Sequence, residues 1–250
     1  MSGDEQGSLE QGGGDDDPYQ RADLDWREGE IPVSTRFDDP YFSLANGLSE
    51  TRHVFLAGND LPARFRPGFH VAELGFGTGL NMLAALIAWR AAGVDGPLRF
   101  TSFEAFPMQA QDIARALTAF PEAQALAGPF LDQWDRAEHL PATGTRRISC
   151  EGLEAEIILG DARETLRDWP GQADAWFLDG FSPAKNPELW NEDLMDQVAR
   201  HTSEGGSFAT YTAAGHVRRA LDAAGFRVER RPGHGHKRHM SAGSLHPKEI

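Results

Sequence analysis

Residues 70–92 read HVAELGFGTGLNMLAALIAWRAA, and this stretch decides the fold. His70 to Leu74 is a short apolar run suited to a buried strand. Gly75-Phe76-Gly77-Thr78-Gly79 follows, and from Gly79 to Ala92 the residues Leu80, Leu83, Leu86 and Ile87 recur at helical spacing. Glycines let a backbone turn tightly and approach a ligand closely, while a helix N-terminus directs free N–H groups at it. Strand, glycine loop and helix in this order imply a nucleotide-like cofactor. The dinucleotide fingerprint needs its third glycine one place later, where this chain has Leu80, so NAD and FAD are disfavoured.

Downstream, short apolar runs keep alternating with helical patterns, which predicts an α/β fold with a doubly wound, mostly parallel sheet. Strands are expected at Leu98 to Phe103, Asp174 to Leu178 and Ser207 to Thr212. Helices are expected from Pro107, from Pro121 to Ala137 and from Pro187 to His201. Arg146 to Cys150 and Ala155 to Leu159 flank Glu151-Gly152 as an antiparallel hairpin. A second C-terminal hairpin, Gly225 to Glu229 with Lys237 to Ser241, closes the sheet around Pro232-Gly233. Upstream, residues 23–66 hold an extended IPVSTRF, the aromatics Tyr41 and Phe42 and a helix around Leu48 to Phe55, and read as an N-terminal cap. The acidic, glycine-rich residues 1–22 are expected to be a disordered tail. The catalytic domain is expected over 67–245, with a short tail at 246–250.

Acids stand where such a fold binds ligands. Glu104 ends the second strand, 31 residues after Glu73, where doubly wound folds place an acceptor for both ribose hydroxyls. Gly160-Asp161-Ala162 follows a strand, and Asp161 can serve a ligand or cap the next helix. Asp179 ends the hydrophobic run DAWFL at the sheet edge where open α/β folds bind ligands. Gly180, Phe181, Ser182 and Pro183 then supply a turn, an aromatic wall and exposed carbonyls.

Glu73 with the G-x-G-x-G spacing resembles the first motif of Rossmann-like class I S-adenosylmethionine methyltransferases, which implies that Glu73 lies near the cofactor's amino-acid portion. GFGTGLN (75–81), SFEAFP (102–107), DAWFLDGFSPAKNPELW (174–190), TAAGHVRRAL (212–221) and GHGHKRHM (233–240) closely resemble the methyltransferase domain of the tRNA 5-methylaminomethyl-2-thiouridine biosynthesis (MnmC) family. The resemblance runs from about Ile31 to Met240. It implies S-adenosyl-L-methionine as cofactor and N-methylation of 5-aminomethyl-2-thiouridine at the tRNA wobble position. The cofactor would be held by Glu73, Gly75, Phe76, Gly77, Thr78, Gly79, Asn81, Glu104, Ala105, Phe106, Gly160, Asp161, Ala162 and Asp179. Asp179 with Phe181, Ser182 and Pro183 would serve the substrate amine. Lys185, Trp190, Arg218, Arg219, Lys237 and Arg238 are candidate RNA contacts. The chain ends at Ile250 without the family's fused oxidase, so a separate oxidase or upstream wobble-uridine enzymes are expected to supply the substrate.

The charge is uneven within a net of −14. Residues 1–30 carry ten acids against two arginines, whereas His216 to His239 carries a net +5. An RNA partner for the basic segment is compatible with this, although charge alone is better explained by a solvated face without a partner. No stretch approaches the roughly 20 apolar residues of a membrane span, and the N-terminus is unlike a signal peptide. Cys150 is the sole cysteine, so a reducing cytoplasm is expected, with no structural metal. Two other functions stay open at this stage: an aminopropyltransferase, which shares the glycine loop and strand-end acid, and a non-catalytic tRNA- or partner-binding module.

Overall fold

The computed structural model describes residues 21–28, 31–43, 47–137, 143–235 and 237–246. The cap opens with a small antiparallel sheet of β1 (Leu24–Arg27), β2 (Ile31–Ser34) and β3 (Asp39–Pro40). Helix α1 (Gly47–Thr51) runs on through a π-helical turn at Arg52–Leu56 and a 3₁₀ turn at Ala57–Asn59. Val54, Phe55 and Leu56 are buried in the main core, so this part of the cap is continuous with the domain. The expected acidic tail lies outside the described residues except for Arg21 and Ala22, and the Ala22 amide donates to the Pro107 carbonyl at 3.2 Å. Most of the expected C-terminal tail is outside them too.

The principal unit is β4 (His70–Leu74), α2 (Leu80–Ala92), β5 (Leu98–Glu104), α3 (Ala110–Leu117), α4 (Pro121–Arg136), β6 (Gly144–Cys150), β7 (Leu153–Leu159), α5 (Ala162–Thr165), β8 (Ala173–Leu178), α6 (Glu192–Arg200), β9 (Thr202–Thr210), α7 (Gly215–Ala223), β10 (Phe226–Pro232) and β11 (His239–Leu245). One eight-stranded sheet has the order β10-β11-β9-β8-β4-β5-β7-β6. The five central strands β9, β8, β4, β5 and β7 are parallel, while both hairpins, β6–β7 and β10–β11, are antiparallel. This is the predicted α/β, doubly wound, mostly parallel sheet with a C-terminal hairpin.

Strand β8 shows why the sequence forms this sheet. Side chains alternate sides along a strand, so Ala175 and Phe177 enter one core with α2 and α4, while Trp176 and Leu178 enter the other with α6 and α7. With both faces covered, the strand reads as an unbroken apolar run. From β4 the chain builds outward through β5 to β7, then returns through α5 to β8 on the other flank of β4. The carboxyl ends of β4 and β8 therefore border the crevice where the winding reverses.

Three elements depart from the sequence reading. Pro107 opens no helix. It is buried in the loop after β5, with α3 starting at Ala110; Pro121 is the proline that starts a helix. The predicted helix from Pro187 splits into a 3₁₀ turn, Pro187–Trp190, and α6, because Asn191 is extended and its side chain caps Leu194 N–H at 2.8 Å. Strand β9 begins five residues before the expected Ser207, with an irregular register against β8 where Gly205 and Gly206 interrupt the apolar pattern.

Candidate active site

The crevice is a cavity of about 790 Å³ lined by the glycine loop, the ends of β5 and β8, the cap and the β10–β11 hairpin loop. That volume is within the usual range of small-molecule sites, roughly 300 to 1,000 Å³.

Gly75 leaves β4 with φ +84°, and a Cβ there would lie 3.0 Å from the Asp179 carbonyl oxygen. Only glycine lets the loop pass so close to β8 in that conformation. Phe76, Gly77, Thr78 and Asn81 line the cavity with Gly75, whereas Gly79 does not: it starts α2 and sits beneath Phe76 and Phe130. Glu104 at the end of β5 accepts the Gly77 amide at 2.9 Å and the Phe106 amide at 2.7 Å. Burial raises the Glu104 pKa, and these amides oppose the rise. The carboxylate thus fixes the glycine loop against the Ala105-Phe106 segment and presents an acceptor to the cavity.

Glu73 lies under this floor and does not line it. Completely buried, it accepts from Asn81 Nδ2 at 2.9 Å and Ser102 Oγ at 2.7 Å, and burial holds its pKa well above the ordinary value. The other Asn81 amide hydrogen goes to Asp179 Oδ2 at 2.8 Å, while Thr51 Oγ1 donates to Asn81 Oδ1 at 2.8 Å. An asparagine amide has two donors, so Asn81 is saturated and its orientation fixed. The structural correction for Glu73 is that it acts on the cavity through Asn81.

Asp179 receives this bond and one from its neighbour Gly180 N–H at 2.9 Å. Burial pushes its pKa up to about 6, against the pull of Asn81, the Gly180 amide and the nearby Lys237. It is a carboxylate able to change protonation near neutral pH.

The loop after Asp179 is built together with the cap. Phe181 stacks on Phe37 with centroids 4.7 Å apart and meets Tyr41 edge-on at 5.0 Å. Asp39 Oδ2 accepts the Ser182 amide at 2.8 Å, and Lys185 Nζ bonds the Asp38 carbonyl. Pro183 lies outside the cavity lining, in the turn closed by the Lys185 and Asn186 amides on the Ser182 carbonyl. Lys185 is therefore a strap between cap and loop.

Other expected contacts are corrected as well. Trp190 is buried, with Nε1 donating to the Phe181 carbonyl at 2.9 Å, so it supports the loop from below and offers no face to a base. Asp161 caps α5 through the Arg163 amide at 2.8 Å and pairs with the Arg163 guanidinium; these hydrogen bonds hold its pKa below the usual range. Capping is the alternative the structure shows, although Asp161 and Ala162 both border the cavity. The Gly160 amide is taken by the Glu104 carbonyl at 2.9 Å, and Gly160 does not line the cavity. Arg218 and Arg219 lie on α7, also outside that lining, and Arg238 is exposed in the hairpin loop. Lys237 turns into the cavity instead, with Nζ 2.6 Å from Glu50 Oε1 and 4.0 Å from the Tyr211 ring centroid.

The sequence assigns no role to Phe37, Asp39, Tyr41, Glu50 and Tyr211, and offers Arg36 only as part of a second RNA surface on the cap with Arg52, Arg64 and Arg66; Arg36 and the other five all line the cavity. For Tyr211, just beyond the end of β9, the strand-end rule that singled out Asp179 was an available signal. Arg36 sits 4.6 Å over the Phe106 ring.

The donor set fits S-adenosylmethionine: a glycine cradle that a Cβ would obstruct, a buried carboxylate at the end of β5 with the chemistry to accept from hydroxyls, and a carboxylate at the end of β8. These features define a nucleoside-cofactor transferase, and the chain belongs to the S-adenosyl-L-methionine-dependent methyltransferases, whose family model matches residues 121–246. It is similar to the tRNA 5-methylaminomethyl-2-thiouridine biosynthesis bifunctional protein MnmC of Aeromonas hydrophila, 45% identical over 242 residues that cover 91% of this chain and 36% of that protein. Its likeness to the MnmC protein of Caulobacter sp. (strain K31) is 47% over 225 residues, covering 86% and 37%. The crystal structure of MnmC2 from Aquifex aeolicus superposes with a TM-score of 0.66 at 26% identity, covering 87% of this chain and 67% of that one. The chain spans about a third of the length of the curated relatives it matches.

Proposed function

We propose that the protein transfers the methyl group of S-adenosylmethionine to the exocyclic amine of 5-aminomethyl-2-thiouridine at the tRNA wobble position, giving 5-methylaminomethyl-2-thiouridine. The observation that carries this reading is the half-buried carboxylate of Asp179, its pKa raised to about 6, beside a cavity with room for cofactor and nucleoside. The name of the relatives supplies the substrate.

S-adenosylmethionine, when bound, supplies a sulfonium-activated methyl carbon. In this reading Gly75 and Gly77 admit its amino-acid part and Glu104 accepts from its ribose. Asp179 accepts an N–H of the amine, orients the lone pair and takes up the proton that leaves as the nitrogen–carbon bond forms. Phe181 and its partners Phe37 and Tyr41 wall off water. Mass spectrometry of nucleosides from tRNA incubated with protein and cofactor is expected to show the aminomethyl nucleoside gaining one methyl group. Unchanged tRNA in the presence of demonstrable cofactor binding would overturn the assignment.

The tRNA surface and the cellular setting belong to the same proposal. Arg219 and Arg238 are exposed and are proposed phosphate contacts, whereas Arg64 and Arg66 bond to Asp174 at the far end of β8. Alanine at positions 219 and 238 is expected to flatten the salt dependence of tRNA binding by up to about 0.7 to 0.9 in log slope per lost contact. Cofactor affinity should be unchanged. An unaltered slope would move the RNA surface elsewhere, to the cap around Arg36. In this reading the protein acts on tRNA in the cytoplasm, downstream of enzymes, such as a separate oxidase, that expose the aminomethyl group. Among the described residues no helix is long and apolar enough to cross a membrane, and no three His, Cys, Asp or Glu side chains cluster for a metal.

A further inference from the structure

We propose that Glu50 and the face of Tyr211 form a seat for the substrate's protonated aminomethyl group, and that the Lys237 ammonium holds this seat until substrate enters. The inference rests on the reading above that the substrate carries a primary alkylamine.

Glu50 comes from α1 in the cap, Tyr211 from the segment after β9 and Lys237 from the β10–β11 loop, and all three border the cavity with Asp179. The Lys237 Nζ lies 2.6 Å from Glu50 Oε1 and 4.0 Å from the Tyr211 centroid, inside the roughly 6 Å range of cation–π attraction. The Glu50 side chain is only 15% exposed, and a carboxylate so covered needs a cation. Tyr211 donates its hydroxyl to the Gly180 carbonyl at 2.7 Å, which fixes the ring beside the residue that follows Asp179. A carboxylate and an aromatic face thus converge on one ammonium, next to the carboxylate suited to take its proton.

Of the other cavity cations, Arg36 lies over the Phe37 and Phe106 rings, and the remaining two are held by carboxylates of their own. Lys185 is tied to the Asp38 carbonyl and to the Asp38 and Asp39 carboxylates, and Arg163 grips Asp161 through several bonds. Lys237 is shown with one carboxylate and one ring, on a side chain 47% exposed at the loop. A lysine tip and an aminomethyl group share the chemistry CH₂–NH₃⁺. Exchanging one for the other keeps the charge of the seat and preserves both of its contacts. An alkylamine arrives at neutral pH mostly protonated, so a cation seat beside Asp179 gives the ammonium a place to dock before it loses its proton.

The test uses n-butylammonium, which matches the four-carbon lysine stem, titrated calorimetrically at constant ionic strength. Lys237→Ala should bind it at least about tenfold more tightly than wild type, because the resident competitor is gone, and Lys237→Ala/Glu50→Gln should lose that gain. Retained S-adenosylmethionine affinity checks folding, and Lys237→Met replaces the alanine variant if the loop is unsettled. In turnover, Glu50→Gln should raise the KM for tRNA about tenfold or more with the cofactor dissociation constant unchanged. Equal n-butylammonium binding by all three proteins would overturn the seat and leave Lys237 as a static strap between cap and hairpin. The calorimetric arm contains no tRNA, so its failure is distinct from failure of the methylation assay.

Discussion

Asp179→Ala is expected to lower single-turnover methylation by on the order of 10² to 10⁴, the usual contribution of a positioned proton acceptor, with cofactor affinity within a few-fold of wild type. The split follows from the partners. Asn81 and the Gly180 amide hold the carboxylate in place, and the proposed target of its remaining acceptor capacity is the amine. With a pKa of about 6, wild-type kcat/KM should fall as pH drops through that value, a limb Asp179→Asn should lack. Stability runs the other way. The folded state favours the protonated carboxyl, so its stabilising contribution is full below the ordinary value of 3.8 and is lost as pH rises through about 6. A shift of that size corresponds to roughly 3 kcal/mol, so cofactor-free wild type should lose thermal stability between about pH 4 and pH 8 by a margin that Asp179→Asn, which does not titrate and is nearly inactive, should lack. Single-turnover methylation within a few-fold of wild type would reduce Asp179 to a structural residue.

Glu104→Ala should weaken S-adenosylmethionine binding about tenfold to a hundredfold, measured by calorimetry. A charged hydrogen-bonding partner contributes roughly 1.5 to 3 kcal/mol. Here the loss has two sources: the ribose acceptor disappears, and the Gly77 and Phe106 amides lose the carboxylate that holds both loop segments. Glu104→Gln keeps one acceptor oxygen but turns an NH₂ group toward a backbone donor, so an intermediate loss is expected. Unchanged affinity in the alanine variant would remove Glu104 from the site.

The parts of this molecule legible in the sequence are those governed by local rules. Strands β4 and β8 announce themselves as apolar runs because both faces are covered, and Asp179 and Glu104 follow from the rule that ligands gather at strand ends. Contacts that close over long separations were hidden. Glu50 and Lys237 are distant in sequence and meet only through the cap and the last hairpin, so Lys237 read as one more member of a basic run. Trp190 looked free to meet RNA because nothing local reveals that its indole supports the Phe181 carbonyl from below. Pro107 failed as a helix start for a similar reason: its carbonyl receives the Ala22 amide from the far side of the cap.

The two outermost strands, β10 and β6, give the basic C-terminal run a second meaning. Each has a margin that no further strand pairs, a template for edge-to-edge association with another chain, although on β6 Gln133 of α4 already takes the Ser149 N–H and carbonyl. β10 carries Arg227, Glu229 and Arg230 exposed along that margin, and β6 carries Arg147 on the opposite one. Charged side chains there make strand addition by a neighbour costly, because they would have to be stripped of water or set against like charge. Part of the positive charge that resembles an RNA footprint therefore also raises the cost of adding a neighbour's strand at these two margins.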